Sequence, residues 1–415
     1  MISAVDRKFI ENKYHDTEKP FNAFKRREYH GYAYPNNGLD DQEIIDGLKK
    51  LAPTLEGLPR PVIKARAICF VLENTKIDVN EHDYFIGFNT WDRQAEKITY
   101  DKWIRELFAS IPEMNTTMQD YVSSGAMNMA VDFDHVVPDW HAIMDLGFKG
   151  ILDRSEKYRK IHIENGTYDE AKQAFFDGIK IEYEGIINFI DRLYKYALTQ
   201  THAKAEKVAE CLKHLRDGAP QNTFDALQLI YLYFMISESV DSFQVRSLGN
   251  GLDNTIYKFY VNDIKNGRFT REEIKNYLSY FLMQWSAIGN YWGQPVYFGG
   301  TNLDGTTKIN DLSHDIIDVY NELGIYNPKL QIKLNYNTPK DFIYKVLDMI
   351  RKGKNCFTFC CEPTIIKSMM GYGATYKEAL EADIRGCYEV GVRANEVTMS
   401  TIRLRLTVWI YGNIK

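Results

Sequence analysis

Apolar residues recur at helical spacing along the first three-quarters of the chain and give way to shorter strand-like runs after residue 328. Ile44, Ile45, Leu48 and Leu51 share one face of a helix that Asp40 or Asp41 caps and that ends near Pro53. Residues 60–92 read as a helix and then a strand-like return through Ile77-Asp78-Val79 and Tyr84-Phe85-Ile86-Gly87. Trp140 opens a further helix. Residues 168–198 predict a long helix whose stripe of Phe175, Ile179, Tyr183, Ile186, Ile190 and Leu193 faces the core. The next helix buries Val208, Cys211, Leu212 and Leu215, so Cys211 is expected to be packing. Thr223 is placed to cap a third helix, with Asp225 in its first turn. From Leu227 to Ile236 that helix is apolar nearly all round, which predicts burial; the run is far short of the ~20 residues a bilayer requires.

Further on, Gln331-Ile332-Lys333-Leu334 alternates like a strand. Thr338-Pro339-Lys340-Asp341 supplies a cap, an N1 proline and an early acid for a helix carrying Phe342, Val346, Met349 and Ile350 and stopping at Gly353. Cys356 to Cys360 reads as a second strand, and Thr375-Tyr376-Lys377-Glu378 as the capping box of a helix reaching about Asp383. Strand, helix, strand, helix and loop is a β/α order, which puts chemistry at strand ends. The first forty residues, aromatic and charged without periodicity, are expected to form an arm on a larger body.

Composition narrows the class. With 415 residues, 45% hydrophobic and 13% aromatic, the chain folds around a sizeable core as one large domain or two to three ordinary ones. A net charge of −5 gives no general reason to expect nucleic acid or an anionic membrane as partner, and Lys25-Arg26-Arg27 reads as a solvated face. The stretch Met1 to Lys8 has no apolar signal-peptide region and no apolar run spans a membrane, so a cytoplasmic location with six reduced cysteines is expected.

Several patterns that suggest chemistry lack the rest of their motif. Cys356-x3-Cys360-Cys361 has no histidine or further cysteine nearby to complete a zinc or iron–sulfur site, so no bound metal is expected. Gly371-Tyr372-Gly373 lacks the residues of a phosphate cradle, and no G-x-S-x-G is present. Three other places hold open readings. The polar run after the buried helix, including Asp241 and Ser242, either lines a pocket or makes surface turns. His135, in a loop just before Pro138, is either a site residue or bonded to backbone. In Gly386-Cys387-Tyr388-Glu389, extended backbone would turn a thiol and a carboxylate to one side; alternatively Cys387 is a small packed hydrophobe and Glu389 a loop charge.

Taken in order, these pieces resemble the glycyl radical enzymes, the pyruvate formate-lyase-like superfamily. The matching stretches begin with Arg60 to Gly87, Asp134-His135-Val136-Val137-Pro138-Asp139-Trp140 (similar to the family's G-H-x-x-P-D-Y) and Pro220 to Leu229. They continue through Leu252-Asp253-Asn254 to Tyr260, Asp263-Ile264, Gly267, Gly299-Gly300 with Asp304-Gly305, Asn327-Pro328-Lys329-Leu330 and Thr338-Pro339. The last is Gly386-Cys387-x-Glu389.

The resemblance implies an α/β fold: the first half of a ten-stranded β/α barrel, preceded by a large helical part. It implies Cys387 as the thiyl residue and Glu389 as general acid or base, with His135, Asp241 and Ser242 orienting a small polar substrate that loses water, an amine or another group. A neutral thiol is the useful hydrogen-atom donor, so a dry, apolar setting suits it. The implied cofactor is a glycyl radical installed by a separate S-adenosylmethionine/iron–sulfur activating enzyme, and the full-length protein is expected to be a homodimer.

Two departures qualify this. Pyruvate formate-lyase uses adjacent cysteines; here only Cys360-Cys361 are adjacent, and the spacing from Thr338-Pro339 favours Cys387, which points to the dehydratase and lyase branch over a formate C-acetyltransferase type. The family's radical motif, R-V-x-G-Y, does not occur in these 415 residues. The expectation is therefore a single pyruvate formate-lyase-like domain, 1–415, incomplete at its C-terminus, without the glycine radical domain and inactive alone. Two other readings are a non-catalytic remnant that binds a separate C-terminal chain and a thiolate-based transferase using Cys387 as nucleophile. The DNA downstream of codon 415 separates truncation from remnant; fast alkylation of Cys387 at neutral pH marks the transferase.

Overall fold

The computed structural model describes residues 1–13, 34–88, 95–99, 103, 106, 109–125, 127–135, 138–237, 251–288, 295–354, 356–385, 389–392 and 398–404, with the backbone alone for 127–135, 385, 389 and 398–404. Its helical part comprises α1 (Ala4–Lys13), α2 (Asp41–Leu51), α3 (Arg60–Asn74), α4 (Pro112–Ser123), α5 (Trp140–Glu164), α6 (Glu170–Ala197), α7 (Ala203–Asp217), α8 (Thr223–Ser237), α9 (Gly251–Lys265) and α10 (Arg271–Ile288). Among these run β1 (Ile77–Asp78) and β2 (Gly87–Phe88), an antiparallel pair, and β3 (Met127–His135). The later part alternates: β4 (Val296–Gly299), α11 (Asp311–Leu323), β5 (Leu330–Leu334), α12 (Lys340–Arg351), β6 (Phe357–Cys361), α13 (Glu362–Gly371), α14 (Tyr376–Leu380), β7 (Ala382–Arg385), β8 (Glu389–Val392) and β9 (Thr398–Leu404).

Local chemistry explains most boundaries. Asp40 caps α2 through a capping box with Glu43, and Thr375 does the same for α14 with Glu378. α8 is buried on all sides, as its continuous apolar surface predicts. Its cap differs from expectation: the Asn222 side chain accepts from the Asp225 amide at 2.9 Å, while Thr223 donates both its N–H and hydroxyl to buried Asp263. On α6 the expected stripe is buried at Ile186, Ile190 and Leu193 and differs by one residue at its first member. Phe176 is 5% exposed and Phe175 52%, because a stripe of this width admits either neighbour and only packing against Tyr168, Arg159 and His162 selects one. In α5, Gly147 has φ +62°, and a Cβ there would lie 2.2 Å from the Gly218 carbonyl oxygen, so the close approach of these segments requires glycine.

Of the first forty residues, expected to form an arm on a larger body, 14–33 lie outside the described residues, and the start of the chain is a helix seated on that body. α1 packs on α10, and Lys13 buries its ammonium to donate to Asp83 Oδ2 at 2.9 Å and to the Phe85 and Ile86 carbonyls.

β4, β5 and β6 form a parallel sheet in that order, with Val296–Gly299 opposite Leu330–Lys333, and Leu330–Leu334 opposite Phe357–Cys361. Phe298 meets Phe342 of α12, so that helix covers the row containing Phe298 and Ile332. The alternating row of Tyr297, Gly299, Gln331, Lys333, Thr358 and Cys360 faces the other way. Lys333, which simple alternation assigns to solvent, is 1% exposed: strands of a parallel sheet are commonly covered on both faces. The Thr338 hydroxyl accepts from the Asn335 amide; it does not cap α12, whose N-cap position is Pro339. The helix expected to reach Asp383 stops at Leu380, and Asp383 is a β7 residue.

One hydrophobic core runs from Ile10 to Cys356 and joins the helical part to the parallel sheet. Met369, Ala379, Ala382 and Val392 form a separate small core that unites α13, α14, β7 and β8.

Candidate active site

Polar side chains tie together the C-terminal ends of the three parallel strands. Glu362, first in α13 after β6, is 1% exposed. It accepts from Thr301 N at 2.9 Å and Thr301 Oγ1 at 2.6 Å beyond β4, and from Asn335 Nδ2 beyond β5. Gly300 has φ +92°, and a Cβ there would stand 2.9 Å from Glu362 Oε1 and 3.2 Å from Lys333 Cε. Lys333 leaves β5 beside this glycine and donates to the Ala382 carbonyl at 3.0 Å and to Asp383 Oδ1 at 3.4 Å. Lys308, 6% exposed, reaches the Leu380 carbonyl at 3.5 Å and Glu381 Oε1 at 3.4 Å. Both lysines therefore grip the segment that enters β7.

β7 and β8 pair antiparallel, with Ala382 opposite Val392, Asp383 opposite Gly391, Ile384 opposite Val390 and Arg385 opposite Glu389. Glu389 is thus at a strand end, and Cys387 falls between the two strands in sequence but outside the described residues. Asp241 and Ser242 also lie outside them. His135, expected in a loop, instead ends β3 opposite Thr398 of β9, because strand pairing satisfies the backbone of 127–135. The structure thereby brings the backbone at His135 to the chain that follows Glu389.

Burial controls the thiols near the sheet. The Cys360 thiol is pushed up to about 11 by burial, partly offset by Lys333, and Cys356 is also raised by burial. Exposed Cys361 is lowered, with the Thr364 hydroxyl donating to its sulfur at 3.2 Å. The five described cysteines are free thiols. Asp253, buried in the first turn of α9, rises to about 7 through burial, although Ser313 Oγ and the Asn254 amide donate to it. A cleft of about 400 Å³ between α13 and β8 is lined by Thr364, Ile365, Ser368, Met369, Tyr372 and Val390. Among the described residues, no cluster of three or more His, Cys, Asp or Glu is placed to hold a metal, and no helix is long and apolar enough to cross a membrane.

A parallel β/α unit whose strand ends converge on a hairpin, behind a helical N-terminal part, defines the class. The pyruvate formate lyase-like family profile matches residues 13–409, and the chain belongs to that family. Among curated relatives, the (2S)-3-sulfopropanediol dehydratase of Klebsiella oxytoca is 23% identical over 285 residues, covering 63% of this chain and 34% of the relative. The trans-4-hydroxy-L-proline dehydratase of Clostridioides difficile is 23% identical over 401 residues, covering 88% and 49%. The crystal structure of a glycyl radical enzyme from Archaeoglobus fulgidus superimposes with a TM-score of 0.72 at 21% identity, covering 86% of this chain and 54% of that one. The chain spans between a third and a half of the length of these curated relatives.

Sequence reasoning passed over Lys308, Lys333, Glu362 and Asp383. A lysine inside a strand of β/α order was a usable signal, since such a strand is covered on both faces. Glu362 opens a helix, where a carboxylate is ordinary, and only the fold reveals its partners across three strand ends.

Proposed function

We propose that this chain is the thiol-bearing part of a glycyl radical lyase or dehydratase acting on a small polar metabolite. The observation that carries the reading is the Gly386-Cys387-x-Glu389 motif, in family order, bracketed by β7 and β8. Ala382, Asp383 and Ile384, which precede the thiol segment, are at most 3% exposed, and a dry approach of this kind suits a neutral thiol.

The glycyl radical, held on a polypeptide carrying the R-V-x-G-Y motif and installed by a radical S-adenosylmethionine activating enzyme, supplies the acceptor for the thiol's hydrogen atom. The Cys387 thiyl then takes one hydrogen atom from a substrate C–H bond, re-forming S–H and leaving a carbon radical. As Glu389 protonates the departing group on the adjacent carbon, the hydroxyl or amine on the radical carbon gives up its own proton, which returns the carboxylate to its acid form; water or an amine leaves neutral, and the neutral carbon radical that remains recovers its hydrogen atom from Cys387. The cycle is redox-neutral and regenerates the thiyl. His135, Asp241 and Ser242 are assigned to substrate orientation, and the complete enzyme to a homodimer.

The test activates the chain anaerobically, together with the polypeptide that carries the radical motif. Cys387→Ala should keep the glycyl doublet in electron paramagnetic resonance and lose turnover by at least ~10⁴-fold; Glu389→Gln should lose roughly 10²–10⁴-fold. Turnover by Cys387→Ala would reject the assignment. The formate C-acetyltransferase type rests instead on Cys360-Cys361 and requires Cys360→Ala or Cys361→Ala to abolish activity.

A further inference from the structure

We propose that Lys333, assisted by Lys308, is a positioning residue that fixes the β7–β8 hairpin, and with it the Cys387 segment, against the rim of the parallel sheet. The inference rests on the proposed role of Cys387 for its functional meaning, but the clamp itself is a separate claim.

The packing shows why a clamp is needed. The hairpin shares its small core with α13 and α14, apart from the main core that stabilises the sheet. That core, four buried residues with Ile365, Ile366, Ala374 and Val390 packed against them, includes no residue of β4–β6 among the described residues. Hydrogen bonds are directional, and two lysines supply them across the seam. Lys333 meets the first carbonyl of β7, that of Ala382, together with the Asp383 carboxylate; Lys308 meets the Leu380 carbonyl and Glu381.

The lysine side chain is itself guided. Gly300 leaves room beside Cε, and Glu362 closes the other side of that glycine while tied to Thr301 and Asn335. Lys333 and Asp383 are 1% and 0% exposed, so the contact is shielded from water and from salt. Asp383 lies opposite Gly391 and Arg385 opposite Glu389, so a shift of β7 by one residue would turn the following segment to the opposite face. Hydrogen-atom transfer tolerates little misplacement of the reacting sulfur, which is where such a clamp would matter.

The test compares Lys333→Met, Lys333→Arg and wild type in the full chain. Backbone hydrogen exchange is followed for peptides covering 380–392, with α6 and α10 peptides as references. Iodoacetamide labelling of Cys387 is read by peptide mass against exposed Cys361. Lys333→Met should speed hairpin exchange and Cys387 labelling at least ~10-fold while the reference helices stay unchanged, and Lys333→Arg, which keeps donors for the Ala382 carbonyl, should restore protection to within about threefold. If Lys333→Met does not fold, Lys333→Met/Asp383→Asn removes the uncompensated charge and is held to the same criterion. Unchanged hairpin protection, or equal behaviour of Met and Arg, overturns the clamp. A loosened hairpin in a protein whose turnover survives Cys387→Ala supports the clamp while rejecting the proposed function, so the two failures are distinct.

Discussion

Asp253 begins α9 with its carboxylate sealed from water, and burial holds its pKa at about 7 against an ordinary 3.8. Between those values the folded protein keeps a proton that the unfolded chain has released. Its contribution to stability is therefore full below about pH 4 and is lost as pH rises through 7. Asp253→Asn cannot ionise, so the stability of wild type relative to this variant should fall by roughly 4 kcal/mol from pH 4 to pH 8. Urea melts at each pH measure it; a constant difference would show that Asp253 ionises as freely folded as unfolded. The residue was visible in the sequence as part of a polar, glycine-containing stretch, but its burial was not. Ser313, which donates to it, comes from a helix sixty positions later.

At the scale of elements, periodicity located the helices from 140 to 237 and most of their buried faces, but not those at 4–13, 112–123, 251–265, 271–288 and 311–323. α6 illustrates the former. Phe175 and Phe176 are adjacent aromatics, and each can belong to a 3.6-residue stripe. The fold buries Phe176 beside Tyr168 and beneath Arg159. Phe176→Ala should cost about 3 kcal/mol and Phe175→Ala under ~0.5 kcal/mol in urea denaturation, whereas the reverse order would place the core stripe on the other neighbour. Strand faces were harder to read. Gln331-Ile332-Lys333-Leu334 alternates as if half-exposed, yet residues 330–333 are all buried because β5, the central strand, is covered on both faces. Loop and strand were confused at His135 for a related reason. The pairing partner of β3 is β9, more than 260 residues away, and no local pattern records it.

For the whole molecule, the first helix joins segments far apart in the chain. Lys13 bonds Asp83, and Gln284 of α10 donates to the same carboxylate at 3.0 and 3.1 Å. Lys13→Met leaves that carboxylate buried without its cation and should cost about 3–5 kcal/mol; Lys13→Met/Asp83→Asn should recover most of the loss. A double-mutant cycle in urea checks this, and additive losses would show that the pair is not coupled. The same logic separates the two cores. The large core unites helical part and sheet, while the hairpin unit depends on directional bonds from Lys308 and Lys333.

The sequence by itself determined the helices at 41–51, 60–74 and 140–237, the β/α order of the later part, the cap at Asp40 or Asp41, the capping box at Thr375, and the family, because each depends on local spacing or on motifs kept in order. It also made Gly386-Cys387-x-Glu389 the candidate for chemistry on which the proposed function rests. Only the tertiary structure decided that Lys333 points into the protein, that Glu362 joins three strand ends, that His135 ends a strand beside β9, and that Asp383 begins a hairpin and not a helix end. Those outcomes depend on partners tens to hundreds of residues away. Side-chain pattern tells a residue which face it belongs to, but the burial of that face and the group it meets there are set by elements that arrive from elsewhere in the chain.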